Sequence, residues 1–318
     1  QISCTDDRLG TECSAVAGLA SQHEACDQAD DDCDGRSDED YGDDCAFLGQ
    51  DVSAGSYETC AITVSDNIRC WGDSESPAPD GRFSRLSGGN NFHCGLRTDG
   101  AVLCWGGLVV DANEGYQFIS AGVSPHVCAI SAADNSVTCW GTANRQALEA
   151  PNIPMAAISA GHDFSCGLRS DNGHVECWGK DVNDVLRVPA DTAFTALDCG
   201  YDHSCAIRAA DGGISCWGLN LYNQLNAPDG QFLDLSVGTN TACAITTDNT
   251  LACWGRGRAN DDRQFGQAAP PEGTYTHVSV GGDHACAVHT DGHIECWGAG
   301  SPAYPNDGVQ HIGQATTP

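Results

Sequence analysis

The chain has 318 residues, 20 of them cysteine, and its 44 acidic residues against 14 basic ones give a formal charge of −30. That charge disfavours a nucleic-acid partner, and no apolar run reaches the roughly 18 residues that a membrane-spanning helix needs. Cysteines at this density in a repeated pattern argue for an oxidising compartment, so the protein is expected to be secreted or at the cell surface with its export signal removed. Gln1 as the first residue, Met155 as the only methionine and the lack of any Asn-x-Ser/Thr sequon fit that expectation and a bacterial source.

Residues 1–46 form a first, acidic segment, with fourteen acidic residues and only Arg8 and Arg36 against them. Within it Asp30, Asp32 and Asp34 alternate ahead of Gly35, followed by Arg36, Asp38 and Glu39. Hard oxygen ligands at alternate positions with a glycine for the sharp turn are the spacing of a calcium loop, in which Arg36 would offer its carbonyl. The twelfth position of an EF-hand would be a bidentate Glu and here is Tyr41, so Glu39 or Asp40 would have to substitute. The expected cofactor is one structural Ca²⁺; the other reading is an acidic, disulfide-bonded linker.

Residues 47–318 repeat. Cys60, Cys94, Cys128, Cys166, Cys205, Cys243 and Cys286 are each followed, ten or eleven residues on, by a Cys-Trp-Gly whose cysteine is Cys70, Cys104, Cys139, Cys177, Cys216, Cys253 or Cys296. These units hold all seven tryptophans, and a period of 34 to 43 residues is that of a small multi-stranded blade. In the fifth unit, Phe194–Gly200 alternates as a half-buried strand, His203–Arg208 reads as a second, Ala209–Gly213 is turn chemistry, and Ile214–Trp217 reads as a third. Cysteines flanking such a hairpin face one another across the strands and predict a disulfide in each blade. Alternation sends the tryptophan to the opposite face, where it would pack on a neighbouring blade. Stretches such as Gln224-Leu-Asn-Ala-Pro228 read as a fourth, outer edge strand, where proline is tolerated. Four strands in seven units predict an all-β, seven-bladed propeller, and Val309–Gln314 is expected to close its ring on the first blade.

Six cysteines lie outside the pairs: Cys4, Cys13, Cys26, Cys33 and Cys45 in the acidic segment, and Cys199 on the opening strand of the fifth unit. If no thiol is free, this parity predicts a bond from one of the five to Cys199.

Units of the form Ser-Ala-Gly-x-x-His-x-Cys-Ala-Ile, then Asp-Gly and Cys-Trp-Gly, then Gln-x-x-x-Pro resemble the regulator-of-chromosome-condensation repeat. The likeness extends to secreted variants, namely the bacterial propeller that inhibits β-lactamases and the cysteine-containing ectodomains of plant receptor kinases. It implies a seven-bladed propeller. The acidic segment in turn resembles the Asp/Cys-rich metal-binding segments of bacterial secreted proteins. Chromatin binding is not expected of so acidic and exported a chain.

No Gly-x-Ser-x-Gly, His-Glu-x-x-His or phosphate-cradling loop occurs, and no enzyme is expected. His93, His126, His203 and His284 recur in different units and read as scaffold, while His289 and His293 flank one turn as a weak metal pair. The expected function is recognition of a protein partner or membership of an extracellular assembly. A glycan-binding propeller is the alternative, with an enzyme inhibitor or a hydrolase or lyase behind it. Tyr222, Arg263, Phe265 and Tyr304, arginine and aromatic side chains in the loops after Cys-Trp-Gly, are the candidate anchors.

Overall fold

The computed structural model describes residues 4–7, 10–13, 49–64, 66–72, 77–113, 115–256, 265–299 and 315. It divides into two compact units, Gln1–Leu48 and Gly49–Pro318. In the first, Cys4–Asp7 and Gly10–Cys13 pair as an antiparallel ribbon with Cys4 opposite Cys13.

The second unit consists of seven antiparallel sheets, each with an inner, a middle and an outer strand. Blade 1 runs Gly49–Ala54, Glu58–Thr63, Ile68–Gly72; blade 2 opens at Phe83, blade 3 at Tyr116, blade 4 at Met155, blade 5 at Phe194, blade 6 at Phe232 and blade 7 at Tyr275. The hairpin register is the one the spacing predicts. In blade 5 Cys205 stands opposite Cys216 and Ser204 opposite Trp217. All seven disulfides are formed, each closing a hairpin of ten or eleven residues.

Blades are joined at three levels. At the hairpin turns, the left-handed residues Asp66, Gly100, Asn135, Gly173, Gly212, Asn249 and Gly292 each accept a backbone hydrogen bond from the first inner-strand residue of the next blade. Asp, Asn and Gly therefore serve twice at these positions. They tolerate positive φ, and that geometry turns the carbonyl outward to the neighbour. The bond from Gly49 to Gly292, 2.9 Å, is the seam between blades 7 and 1 and is the same bond as the other six.

Midway along the inner strands a serine hydroxyl accepts an N–H of the next blade: Ser87 from Ala121, Ser120 from Ala160, Ser159 from Cys199, Ser236 from Val280 and Ser279 from Ala54, at 2.8–3.0 Å. Further along stands a glycine in every blade. A β-carbon on Gly200 would strike the carbonyl oxygen of Gly238, and Gly55, Gly89, Gly122, Gly161, Gly238 and Gly281 meet the same obstacle in the following blade. The recurrent Ser-Ala-Gly is thus a contact motif between blades.

Tryptophan forms the hydrophobic mortar. Trp178, Trp217, Trp254 and Trp297 each lie in one apolar cluster with a cysteine of the preceding blade's disulfide, Cys128, Cys166, Cys205 and Cys243 respectively. Trp71 likewise shares a cluster with Cys286 across the seam.

The fourth strand differs from expectation. Among the described residues only blade 2 has one, Val110–Ala112. Elsewhere the Gln-x-x-x-Pro stretch is a compact loop, or in blade 3 the single helical turn Arg145–Leu148, and its purpose is to seat the next tryptophan. The indole N–H of Trp178, Trp217, Trp254 and Trp297 donates to the backbone carbonyls of Ala147, Val185, Gln224 and Gln267 at 2.8–3.0 Å. The buried Gln224 and Gln267 side chains shape the loop by accepting the N–H of Tyr222 and Phe265, two residues earlier. A buried indole N–H is stabilised by an acceptor, and these loops supply one to four of the tryptophans. Val309–Gln314 lies outside the described residues, and across the seam the described residues share no strand.

Candidate functional site

The register gives the propeller two unlike ends. One carries the hairpin turns and the starts of the inner strands. The other carries the Gly-x-x connections to the middle strands together with the loops after Cys-Trp-Gly, tied together by bonds such as Lys180 N–H to Asp163 and Leu219 N–H to Asp202.

The loop end holds two of the predicted anchors. Tyr222 is half-buried, with the Arg256 guanidinium 4.8 Å above its ring, and the preceding Leu221 is 73% exposed. Phe265 is half-buried beside Gln267; Arg263 and Tyr304 lie outside the described residues. Closer to the axis, His162 and Tyr201 stack with ring centroids 3.9 Å apart and planes at 16°. Each is followed by an aspartate: Asp163 accepts from the Ser124 hydroxyl at 3.0 Å, and Asp202 from the Asn183 amide at 3.2 Å. Burial raises the Asp202 pKa, and the charge of Asp163 adds to the effect. Sequence reasoning missed this pair. Its signal was positional, since both aromatics directly follow the inner-strand glycine, Gly161 and Gly200.

At the turn end, inner-strand residues converge on a cavity of about 320 Å³ lined by all seven blades. His277 lies between two carboxylates there, Nε2 at 3.2 Å from Asp51 Oδ1 and Nδ1 at 3.1 Å from Asp234 Oδ2. Burial works against its proton, but the two hydrogen bonds and charges outweigh that and push its pKa up to about 10. Asp51 is held below its ordinary value: burial opposes the shift, and His277 together with the Leu86 N–H overcomes it. Arg85 lies over the Phe118 ring, 4.0 Å from its centroid. These residues are far apart in sequence and meet only because they occupy the same inner-strand position in successive blades.

Deeper in the channel, blade 5 departs from the serine ring. Asp198 takes the serine position, accepting from Ser159 Oγ at 2.6 Å and from the Val237 N–H at 2.6 Å. Burial pushes its pKa up to about 6. The expected bond to Cys199 is not made: Cys199 is a free thiol. It occupies the small-residue position that is Ala54, Ala121 or Ala160 in other blades, 6% exposed, and burial pushes its pKa up to about 12. Parity assumed that every sulfur pairs, whereas this one substitutes for alanine as a small buried apolar group.

The repeat histidines sit in the blades, not in a cluster. His126 Nδ1 is 2.9 Å from the Ser124 carbonyl and Nε2 3.0 Å from the Ser165 hydroxyl in blade 4. Although serine and histidine are in contact, both are fully buried, and burial lowers the histidine's pKa. His284 makes the same contact with Thr59 at 2.7 Å. His203 has no partner on either ring nitrogen, because the equivalent residue of blade 6, the one opposite the tryptophan, is Ala242. Burial drives its pKa down to about 3.

His289 pairs with Glu295 at 2.9 Å and His293 with Asp291 at 3.3 Å, so each has its own carboxylate. Glu58, Cys60 and Cys70 approach one another, but both sulfurs belong to a disulfide and cannot ligate a metal. The calcium-loop residues Asp30, Asp32, Asp34, Arg36, Asp38 and Glu39 lie outside the described residues. No helix among the described residues is long and apolar enough to cross a membrane.

Comparison with known proteins agrees with this architecture. The regulator of chromosome condensation (RCC1) repeat matches residues 194–224 and 232–264. The ectodomain of the receptor kinase CR4 from Physcomitrella patens superposes with a TM-score of 0.66 at 26% identity, over 79% of this chain and 73% of that one. The CRINKLY WD40 ectodomain of the Arabidopsis thaliana receptor kinase ACR4 gives 0.66 at 24%, over 80% and 98%. The serine/threonine-protein kinase-like protein CCR4 of Arabidopsis thaliana is 34% identical over 135 residues, which is 42% of this chain but only 17% of that protein. The chain is a seven-bladed propeller, each hairpin closed by its own disulfide, and its fifth and sixth blades carry the match to the RCC1 repeat.

Proposed function

We propose that the propeller is a non-catalytic, extracellular recognition module that binds a protein partner through its loop end. The observation that carries this reading is the contrast in sequence use. Cysteines, tryptophans, turn residues, serines and glycines of the repeat are engaged in holding blades together, while exposed Leu221, the Tyr222–Arg256 pair and the His162–Tyr201 stack are held on that frame without a structural duty repeated in other blades. Rigid scaffolds with variable loops are the usual form of a recognition surface, and aromatic and arginine side chains are its usual anchors. Likeness to plant receptor-kinase ectodomains supports an extracellular setting.

The test is cross-linking in the native extracellular milieu with wild-type protein and with Leu221→Asp and Tyr201→Ala variants. A specific protein adduct that both substitutions weaken supports the proposal. An adduct indifferent to them, or saturable glycan binding at several sites per chain, would replace it with another surface or with a lectin. For the acidic segment we propose one structural calcium ion held by Asp30, Asp32, Asp34, the Arg36 carbonyl, Asp38 and Glu39. Native mass spectrometry before and after chelation checks it, and an unchanged mass removes it.

A further inference from the structure

Arg82, Arg97, Arg145, Arg169, Arg187 and Arg208 each pair with a nearby carboxylate. Arg85 does not. Its guanidinium lies over the Phe118 ring at the turn-end cavity and donates no hydrogen bond among the described residues. Asp51 on the adjoining blade, whose carboxylate feels the Arg85 charge, is already engaged: Oδ2 accepts the Leu86 N–H at 2.9 Å and Oδ1 faces His277. Asp234 is engaged as well, by His277 and by the Leu235 N–H at 2.9 Å. Both acids are thus hydrogen-bonded elsewhere, and Arg85 acts on Asp51 through its charge alone. What remains at this tier is a half-buried, planar fork of donors seated over the Phe118 ring.

Beyond Phe118 the same tier continues with Ala157 and Ala196, so the cavity is charged along one arc and apolar along the other. The geometry points to a binding site for a singly charged carboxylate joined to a flat or apolar body, the carboxylate on the edge of Arg85 and the body along Phe118, Ala157 and Ala196. Two acids, an imidazolium and a guanidinium balance at this tier, while Asp198 lines the same cavity with a pKa pushed up to about 6 by burial, so an anion on Arg85 is opposed less when it carries one charge than when it carries two. A dianionic phosphate would face Asp51 and Asp234 in a protein already strongly negative. The carboxylate could belong to a free small acid or to the C-terminus of a chain.

The experiment is titration calorimetry of the whole chain with phenylacetate, with a short peptide ending in a free Phe carboxylate, with the same peptide amidated, and with phenyl phosphate. Saturable binding of at least one free carboxylate is expected. Loss of the charge-assisted, two-pronged contact should weaken it roughly tenfold in Arg85→Gln, with a smaller loss in Arg85→Lys, which keeps the charge but not the fork. The amidated peptide, tested on unaltered protein, should bind as poorly as the free peptide binds the Gln variant. Binding of phenylacetate alone assigns a free acid, and binding of the peptide assigns a chain end. No saturable binding, equal affinity for acid and amide, or preference for phenyl phosphate each overturns the assignment. Loop-end substitutions should leave this binding unchanged, so its failure and that of the proposed recognition surface are separable.

Discussion

The turn end and the loop end are built from the same seven repeats, yet the first is nearly uniform and the second is not. At the turn end every blade offers the next one the same carbonyl from the same left-handed residue, and the ring closes on itself with an identical bond. At the loop end the glycine ring is uniform but the described segments outside it vary: a short strand after blade 2, a helical turn after blade 3, loops after blades 4 and 5. A closed ring needs seven equal joints, and once one tier supplies them the opposite end is free to diverge. Blade 5 shows the cost of divergence inside the ring, where His203 faces an alanine and has no hydrogen-bond partner.

The comparison can be broken most forcefully at the tryptophan seat. Trp254 is 1% exposed and bonded to the Gln224 carbonyl, so Trp254→Ala should cost about 3–5 kcal/mol of unfolding free energy by denaturant titration. Trp140, only partly buried, should cost less when truncated. Equal losses at the two sites would mean that the loop clasp adds nothing to burial.

A second test addresses the turn end through pH. The pKa of His277 is raised in the fold to about 10, so its contribution is fully present below the ordinary histidine value near 6.5 and is lost as pH rises through about 10. Asp51, whose pKa is lowered, contributes above the ordinary carboxylate range and loses that contribution as pH falls through its folded value. The melting temperature should therefore decline on the alkaline side in the wild type and stay flatter in His277→Asn. An unchanged alkaline decline in the variant would show that another group is responsible.

The smallest effect is a gain. Ala242→Ser places in blade 6 the hydroxyl that Ser165 and Thr59 provide for their histidines, and should stabilise the protein by about 1 kcal/mol in the same titration. No gain would mean that the histidine cannot turn toward it.

Legibility in the sequence followed the period. Cys205 and Cys216, the Asp-Gly turn between them and Trp217 stand at fixed local offsets, so strand alternation placed them correctly. The Gln-x-x-x-Pro loops were misread because their partner is an indole on the next blade, some thirty residues away, and edge-strand chemistry was the nearest local explanation. Asp51, Asp234 and His277 carry no mark in the sequence at all. Only the ring brings blades 6, 7 and 1 side by side, and serine at the neighbouring tier disguises the position as routine. Cys199 was misjudged by counting, since parity cannot tell a bridging sulfur from one that replaces alanine.

The disulfides have a mechanical consequence. Each joins residues ten or eleven apart within one hairpin, so among the described residues no disulfide links one blade to another. Pulled from its ends, the propeller would yield blade by blade, and every blade would withhold the segment between its cysteines, roughly 30 Å of extensible chain. Adding a reductant under load should lengthen each step by that amount without changing the order in which blades give way. The sulfur bridges would then act as stops that set how far the molecule can be drawn out, while hydrogen bonds and tryptophans decide when it begins to open.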